Sequence, residues 1–378
     1  MDLSSFSQNY AEARQKFLNA CVATGLAVES HVHPLRGRDG EELAMDVARL
    51  GSADAANLLI LSSGCHGAEG FCGSGIQVSH LRDGAWLERC KRGDLAVLFI
   101  HALNPHGFSW LRRVTEDNVD LNRNFLDFSQ PLPDNADYRA IAHLLLPKRQ
   151  PPTLLSTLGM LGYALRHGRM ALQGAISRGQ HGDPTGMFFA GTAPTWSNRT
   201  LQDVLRQHGG QCRRLAWIDI HTGLGPRGVG ERIYKGKQTA EDIARCRRWW
   251  GEQVTNSAEG NSVSAKLNGT IDNVVPMTCP QAEYNGLTLE YGTLPGLQVL
   301  NAMRGDHWLQ RNPQAPAARQ QRIKQRLREA FYVDADDWKQ QVLEQAREVL
   351  DQALAGLASP LSSSSAPLPA ARESSCAH

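Results

Sequence analysis

Short apolar runs separated by stretches of helical periodicity dominate the first three quarters of the chain. Residues 58–61 (LLIL), 95–100 (LAVLFI), 215–220 (LAWIDI) and 287–289 (LTL) are nearly continuous in apolar character, with Gly, Asn, Pro or other polar residues close by. A strand exposed on one face would alternate, so these runs predict strands buried on both faces of a sheet. Residues 43–50 also read as extended. Between the strands, residues 76–87 and 240–250 carry helical spacing, as do Phe6, Tyr10, Ala13, Phe17 and Cys21 in the opening segment. The alternation predicts an α/β fold, a mixed, largely parallel central sheet with helices on both faces.

Two stretches depart from that rhythm. Residues 147–194 are rich in Gly and Arg, have only short helical patterns and contain the turn-like HGDPTG, which predicts an insertion near the functional site. Residues 317–357 read as two helices, with Asp334 and Asp336 as candidate N-caps of the second. The domain expectation is a catalytic domain over 1–315 including the insertion, a helical C-terminal extension over 316–357 packed on it, and a disordered tail over 358–378. That tail is low in complexity (SPLSSSSAPLPAARESSCAH) and has no apolar face to bury.

Composition narrows the class. With 378 residues, 41% of them apolar and 21% charged, the chain can bury a core without staples. A net charge of +2 without a strongly basic segment argues against a nucleic-acid partner. No run is long enough to span a bilayer, so no membrane partner is expected. The opening MDLSSFSQNYAEARQKF lacks the basic start and apolar stretch of a secretory signal, and the eight cysteines show no paired spacing. Reduced thiols in the cytoplasm are the expectation.

Four segments carry the chemistry. In LLILSSGCHGAEGF a buried strand runs into a turn bearing His66, and Glu69 follows at the start of a helix. That spacing lets an imidazole and a carboxylate converge on one ion. With 13 histidines in the chain a lone His-x-x-Glu means little, and the plain alternative is a polar turn with a Glu favouring a helix start. Position at the carboxyl end of a strand raises it, because open α/β sheets bind ligands there. In LAWIDIHTGLGPRG a second strand ends in His221, and His66, Glu69 and His221 together make the three-ligand set that catalytic zinc commonly takes. In LRRVTEDNVDLNRNF, Arg and Asn in one loop can bind a planar carboxylate. In NGLTLEYGT a strand delivers Glu290 to its end as a candidate general base, the alternative being an ordinary strand-edge Glu.

As a set in this chain order, the segments resemble the zinc carboxypeptidase superfamily over about residues 58–293. The opening FSQNYAEARQKF and the run SGCHGAEGFCGSGIQ are similar to an uncharacterised bacterial branch of it. The resemblance implies one zinc per chain held by His66, Glu69 and His221, with Asp120 orienting His66. It implies Asn122 and Arg123 holding a substrate carboxylate, Arg113 polarising the scissile carbonyl with Arg112 as competitor, and Glu290 as the base. The pocket tyrosine of the digestive enzymes has no secure counterpart; Tyr234 and Tyr284 are candidates. Residues 270–272 in GTIDNVV faintly resemble the specificity loop. The expected function is metal-assisted hydrolysis of an amide or peptide bond next to a free carboxylate, the substrate a small peptide or N-acyl amino acid. An aspartoacylase-like deacylase of N-acyl amino acids is the alternative, and a non-catalytic zinc-binding module a third reading. The substrate, exo- or endo-action and oligomeric state are left open.

Several residues have plainer readings. His31 and His33 read as polar side chains on the surface, Cys65 and Cys72 as small buried thiols, Trp249 and Trp250 as packing residues, and RQQRIKQRLRE as a solvated helix face.

Overall fold

The computed structural model describes residues 2–359. Seven strands form one sheet in the order β1-β2-β4-β3-β5-β7-β6: β1 (Val28–Arg36), β2 (Glu42–Leu50), β3 (Asn57–Ser63), β4 (Leu95–His101), β5 (Arg214–Arg227), β6 (Gly230–Lys235) and β7 (Glu283–Gly292). The four inner strands β4, β3, β5 and β7 run parallel, and β1, β2 and β6 add on antiparallel at the edges. This is the mixed, largely parallel sheet that the apolar runs predict. Leu58, Leu59, Ile60, Leu61 and Val97 to Ile100 have no solvent exposure, as covering both faces requires.

One face carries the helices Tyr10–Ala23, Gly70–Leu81 and Asp336–Ala358, whose Phe17, Phe71, Trp338, Val342 and Leu350 join a single core with Phe99 and Ile218. The other face is covered by Trp196–Gly209 and the short helix Val274–Thr278, through Leu201, Val204 and Val275. The last helix is thus built into the main core: Trp338 Nε1 donates to Gly292 O at the end of β7 (2.9 Å). The tail from 360 onward, with Cys376, lies outside the described residues. The other seven cysteines are buried free thiols.

Three local expectations need correction. The helix expected over 76–87 is two helices, Gly70–Leu81 and Gly84–Cys90, broken where Asp83 caps the second by accepting from Trp86 N (3.0 Å). Neither Asp334 nor Asp336 caps Asp336–Ala358: the N-cap is Ala335, and Asp334 instead pairs with Lys339 (2.6 Å) and Arg328 (3.1 Å). His33 is also no surface residue. It is 3% exposed, edge-on to Trp196 and 3.3 Å from Glu116.

Residues 136–177 fold into three helices, Ala136–Leu145, Leu154–His167 and Arg169–Ser177, with a small core of their own around Tyr138, Ile141, Leu145 and Met160. They stand at the carboxyl end of the sheet, beside the site described below.

Two histidines make the main core sensitive to acid. His80 donates from Nδ1 to Ile76 O (2.8 Å), and its Nε2 is buried without a partner among the described residues; His101 bonds Ser74 Oγ (2.9 Å) and stacks on Phe17. Burial pushes both down to about 4, below the ~6.5 of an unfolded chain. The unfolded chain therefore binds more protons between these values, so this stabilisation is complete above about pH 6.5 and is lost as pH falls toward about 4. Urea midpoints should fall as pH drops from 7 to 4.5. His80→Gln should flatten that slope by up to about one proton, and an unchanged slope would remove His80 from the effect.

Candidate metal centre

β3 ends at Ser63, and Gly64, at φ +70°, turns the chain so that His66 stands at the carboxyl edge of the sheet. One 3-10 turn, Gly67–Glu69, then brings Glu69 back beside it. Gly67 permits this because a Cβ there would overlap the backbone of Gly107. The same close approach lets Gly67 N donate to Arg113 O (3.2 Å) and Ala68 N to Arg112 O (2.9 Å), so the loops bearing His66 and Arg113 are zipped together. His221 and Glu290 come from β5 and β7, where they sit opposite each other in the parallel ladder.

His66, Glu69 and His221 have donor atoms within 4.8 Å of one another, and all three are about 2% exposed. His66 donates from Nε2 to Asp120 Oδ1 (3.0 Å), and His221 donates from Nε2 to Asp219 Oδ2 (2.6 Å). Both Nδ1 atoms then face the carboxylate of Glu69, at 2.8 Å from Oε1 and 3.1 Å from Oε2. With each Nε2 proton committed to an aspartate, a neutral imidazole has only a lone pair to present from Nδ1. Lone pairs facing a carboxylate need a positive charge between them, either extra protons or a cation. Burial works against a proton on His221, but Asp219 and Glu69 outweigh it and raise its pKa to about 10. Burial likewise opposes the charge of Glu69, yet His66 and His221 hold its carboxyl well below the usual range. This donor set, two imidazole nitrogens and a carboxylate backed by two aspartates, fits a divalent metal ion.

The remaining expected residues gather around this group. Asp120 is fully buried, bridging His66 and Arg113, whose Nε donates to Oδ2 (3.0 Å). Arg113 Nη1 reaches Glu69 Oε1 (3.0 Å), whereas Arg112 turns away to Asn118 (3.0 Å) and Asp306 (3.5 Å). Of the two arginines, Arg113 is the one beside Glu69 and Asp120. Asn122 accepts at Oδ1 from Ile271 N (2.9 Å), which leaves its amide N–H donors unclaimed among the described residues. Arg123 is also largely committed: Nε donates to Ser177 O (2.6 Å) and Nη1 to Asn122 O (2.7 Å), leaving Nη2. Burial pushes Arg123 down to about 10 against the pull of Asp120. Glu290 accepts from Leu224 N (3.0 Å), and burial followed by repulsion from Glu69 pushes it up to about 7.

His66, Glu69, His221, Arg113, Asn122, Arg123 and Glu290 line one cavity of about 370 Å³, together with an apolar wall that includes Leu172, Ile176, Phe188, Leu300 and Met303. Neither Tyr234 nor Tyr284 lines it; Tyr234 is buried and donates to Lys237 O (2.6 Å). The GTIDNVV loop does not line it either, but its Ile271 N–H holds Asn122 in place. Sequence reasoning missed two residues here. Asp219 shares a face with His221 by strand alternation, a signal present in the run IDIH. Phe188 comes from the insertion and lies 5.5 Å from the guanidinium of Arg113 and 6.0 Å from that of Arg123, and only the tertiary fold reveals it. Cys65 also falls within 4.8 Å of Asp219 and His221, but its thiol is fully buried and burial raises its pKa well above the usual value.

The family described as "Protein of unknown function (DUF2817)" matches residues 6–345. No curated protein matches the chain in sequence. Among solved structures it is similar to the carboxypeptidase A of Helicoverpa armigera, at 11% identity and TM-score 0.48, over 94% of this chain and 75% of that one. It is also similar to bovine thrombin-activatable fibrinolysis inhibitor (11% identity, TM-score 0.46, 93% and 97% covered). An aspartoacylase family protein from Mesorhizobium loti follows at 14% identity and TM-score 0.36, with 75% and 66% covered.

Titration with Zn²⁺ should show about one ion bound per chain, and His221→Ala should abolish most of the binding. Asp219→Asn, which keeps the shape but weakens the hold on His221, should cost about 10–100-fold in affinity. Wild-type affinity in both variants would put the ion elsewhere.

Proposed function

The chain belongs to the family described as "Protein of unknown function (DUF2817)", and since that description names no activity we propose from the site itself that the protein is a zinc-dependent hydrolase of an amide or peptide bond next to a free carboxylate. The observation that carries this reading is the convergence of two aspartate-backed imidazoles and Glu69 in a cavity that Glu290 shares. A zinc ion held by His66, Glu69 and His221 would supply a Lewis acid and lower the pKa of water toward ~7.

The chain's own residues account for the remaining steps. Glu290, one strand over from His221, takes the proton of the attacking water and passes it to the leaving nitrogen. A carboxyl raised to about 7 suits both halves of that shuttle. Arg113, fixed by Asp120 and Glu69 through Nε and Nη1, keeps Nη2 for the oxygen that gains charge as the carbonyl becomes tetrahedral. The amide donors of Asn122 and Nη2 of Arg123 hold the substrate carboxylate and set the scissile bond in place. A purely binding module has no use for Glu290 or Arg113 in these positions. The apolar wall of Leu172, Ile176, Leu300 and Met303 suits a large apolar group on the substrate, which keeps deacylation of N-acyl amino acids beside peptide hydrolysis.

A panel of peptides and N-acyl amino acids, assayed with and without a chelator, tests the activity. Glu290→Gln should keep its zinc while turnover falls about 10²–10⁴-fold; near wild-type turnover would assign the base elsewhere. Arg123→Ala should raise KM more than it lowers kcat, because the substrate carboxylate carries the same charge in ground and transition states. Amidating that carboxylate should cost the wild type a similar amount and the variant little more. Equal rates on free and blocked substrates would show that no carboxylate is read.

A further inference from the structure

The insertion carries an amphipathic helix turned inside out. In Leu154–His167 the buried face is made by Met160 with the partly buried Tyr163 and Ala164, while Leu154, Leu158, Leu161 and Leu165 face solvent at 82%, 59%, 53% and 80% exposure. At 100° per residue these four leucines fall within about 60° of one another, and Leu155 (78% exposed) flanks them. Single exposed leucines are ordinary, but a contiguous stripe of them on a helix marks a contact surface.

Charge identifies the occupant. Between Asp137 and Asp183 there is no acidic residue, whereas Lys148, Arg149, Arg166 and Arg169 bracket the leucine helix and are all exposed. Arg166 lies on the flank of the leucine stripe. In a chain of net charge +2 this is a strong local concentration of positive charge. A symmetric contact between two copies would bring two such basic surfaces together, which opposes self-association. Leucines buried among acyl chains, with arginines and lysines at headgroup level, satisfy both features at once. No described helix is long and apolar enough to cross a membrane, and 14 residues span only about 21 Å, so this helix would lie in the surface plane. The expectation of no membrane partner rested on the lack of a spanning run and does not bear on such a helix.

We propose that Leu154–His167 docks the protein on an anionic lipid surface. Gly168 alone separates this helix from Arg169–Ser177, whose Arg169, Leu172, Gln173, Ile176 and Ser177 line the cavity of the metal centre. Docking would therefore set a wall of that cavity at the lipid boundary.

The test is co-sedimentation of the full chain with vesicles of phosphatidylglycerol and phosphatidylcholine at low salt, and with phosphatidylcholine alone. Binding should favour the anionic vesicles by about tenfold or more and weaken as salt rises. Leu158→Gln with Leu161→Gln, at exposed positions outside the cavity lining, should lower binding about tenfold or more with circular dichroism and zinc content unchanged. Arg166→Glu with Arg169→Glu should remove the preference for anionic lipid. No binding of the wild type to anionic vesicles would overturn the proposal, as would equal binding by the leucine variant. A concentration-dependent dimer in sedimentation velocity that the leucine variant abolishes would overturn it in favour of a second copy. None of these readouts depends on hydrolysis, so failure here leaves the proposed activity untouched, and the reverse holds.

Discussion

Glu69, Asp120, Asp219 and Glu290 put four buried carboxylates around His66 and His221, and among the described residues the guanidiniums paired with them are those of Arg113 and Arg123. Burying charge is tolerable only where opposite charge or hydrogen bonds compensate, and two cations do not balance four anions. An extra proton on His221 makes up part of the deficit, since Asp219 and Glu69 drive it toward its charged form, while burial and Glu69 drive Glu290 toward its neutral one. A divalent ion makes up all of it. The surrounding structure is arranged around that deficit: the zipped loops of His66 and Arg113, the register of β5 on β7, and the aspartates behind each imidazole.

How much of this the sequence discloses depends on the range of the interaction. The parallel core was legible because covering both faces of a strand leaves a continuous apolar run, and LLIL and LAVLFI could hardly be read otherwise. Residues delivered by strand ends, His66, His221 and Glu290, were legible for the same reason. Asp219 alternates with His221, but one Asp inside an apolar strand carries no mark of its partner. Arg112 and Arg113 could not be told apart because neighbouring residues differ only in the direction the backbone gives them. Phe188 depends on an insertion folding back over the site, a contact with no local periodicity.

The helix break at Asp83 and the capping of Asp336–Ala358 show the opposite case, where local rules allow more than the fold uses. Asp83 could cap because the chain turned there; Asp334 could not because Lys339 and Arg328 had already claimed its carboxylate. Propensity proposes such partners, and tertiary competition chooses among them.

The placement of His221 and Glu290 opposite each other on paired strands has an evolutionary consequence. Neighbouring strands are held about 4.8 Å apart by their backbone bonds, so the spacing between His221 and Glu290 is written into the sheet and is insensitive to most side-chain changes nearby. The insertion that supplies Phe188, Leu172 and Ile176 has a separate small core and can drift in length and composition without disturbing that spacing. A substitution in the insertion can thereby reshape the wall of the cavity while the spacing of His221 and Glu290 stays as the sheet sets it.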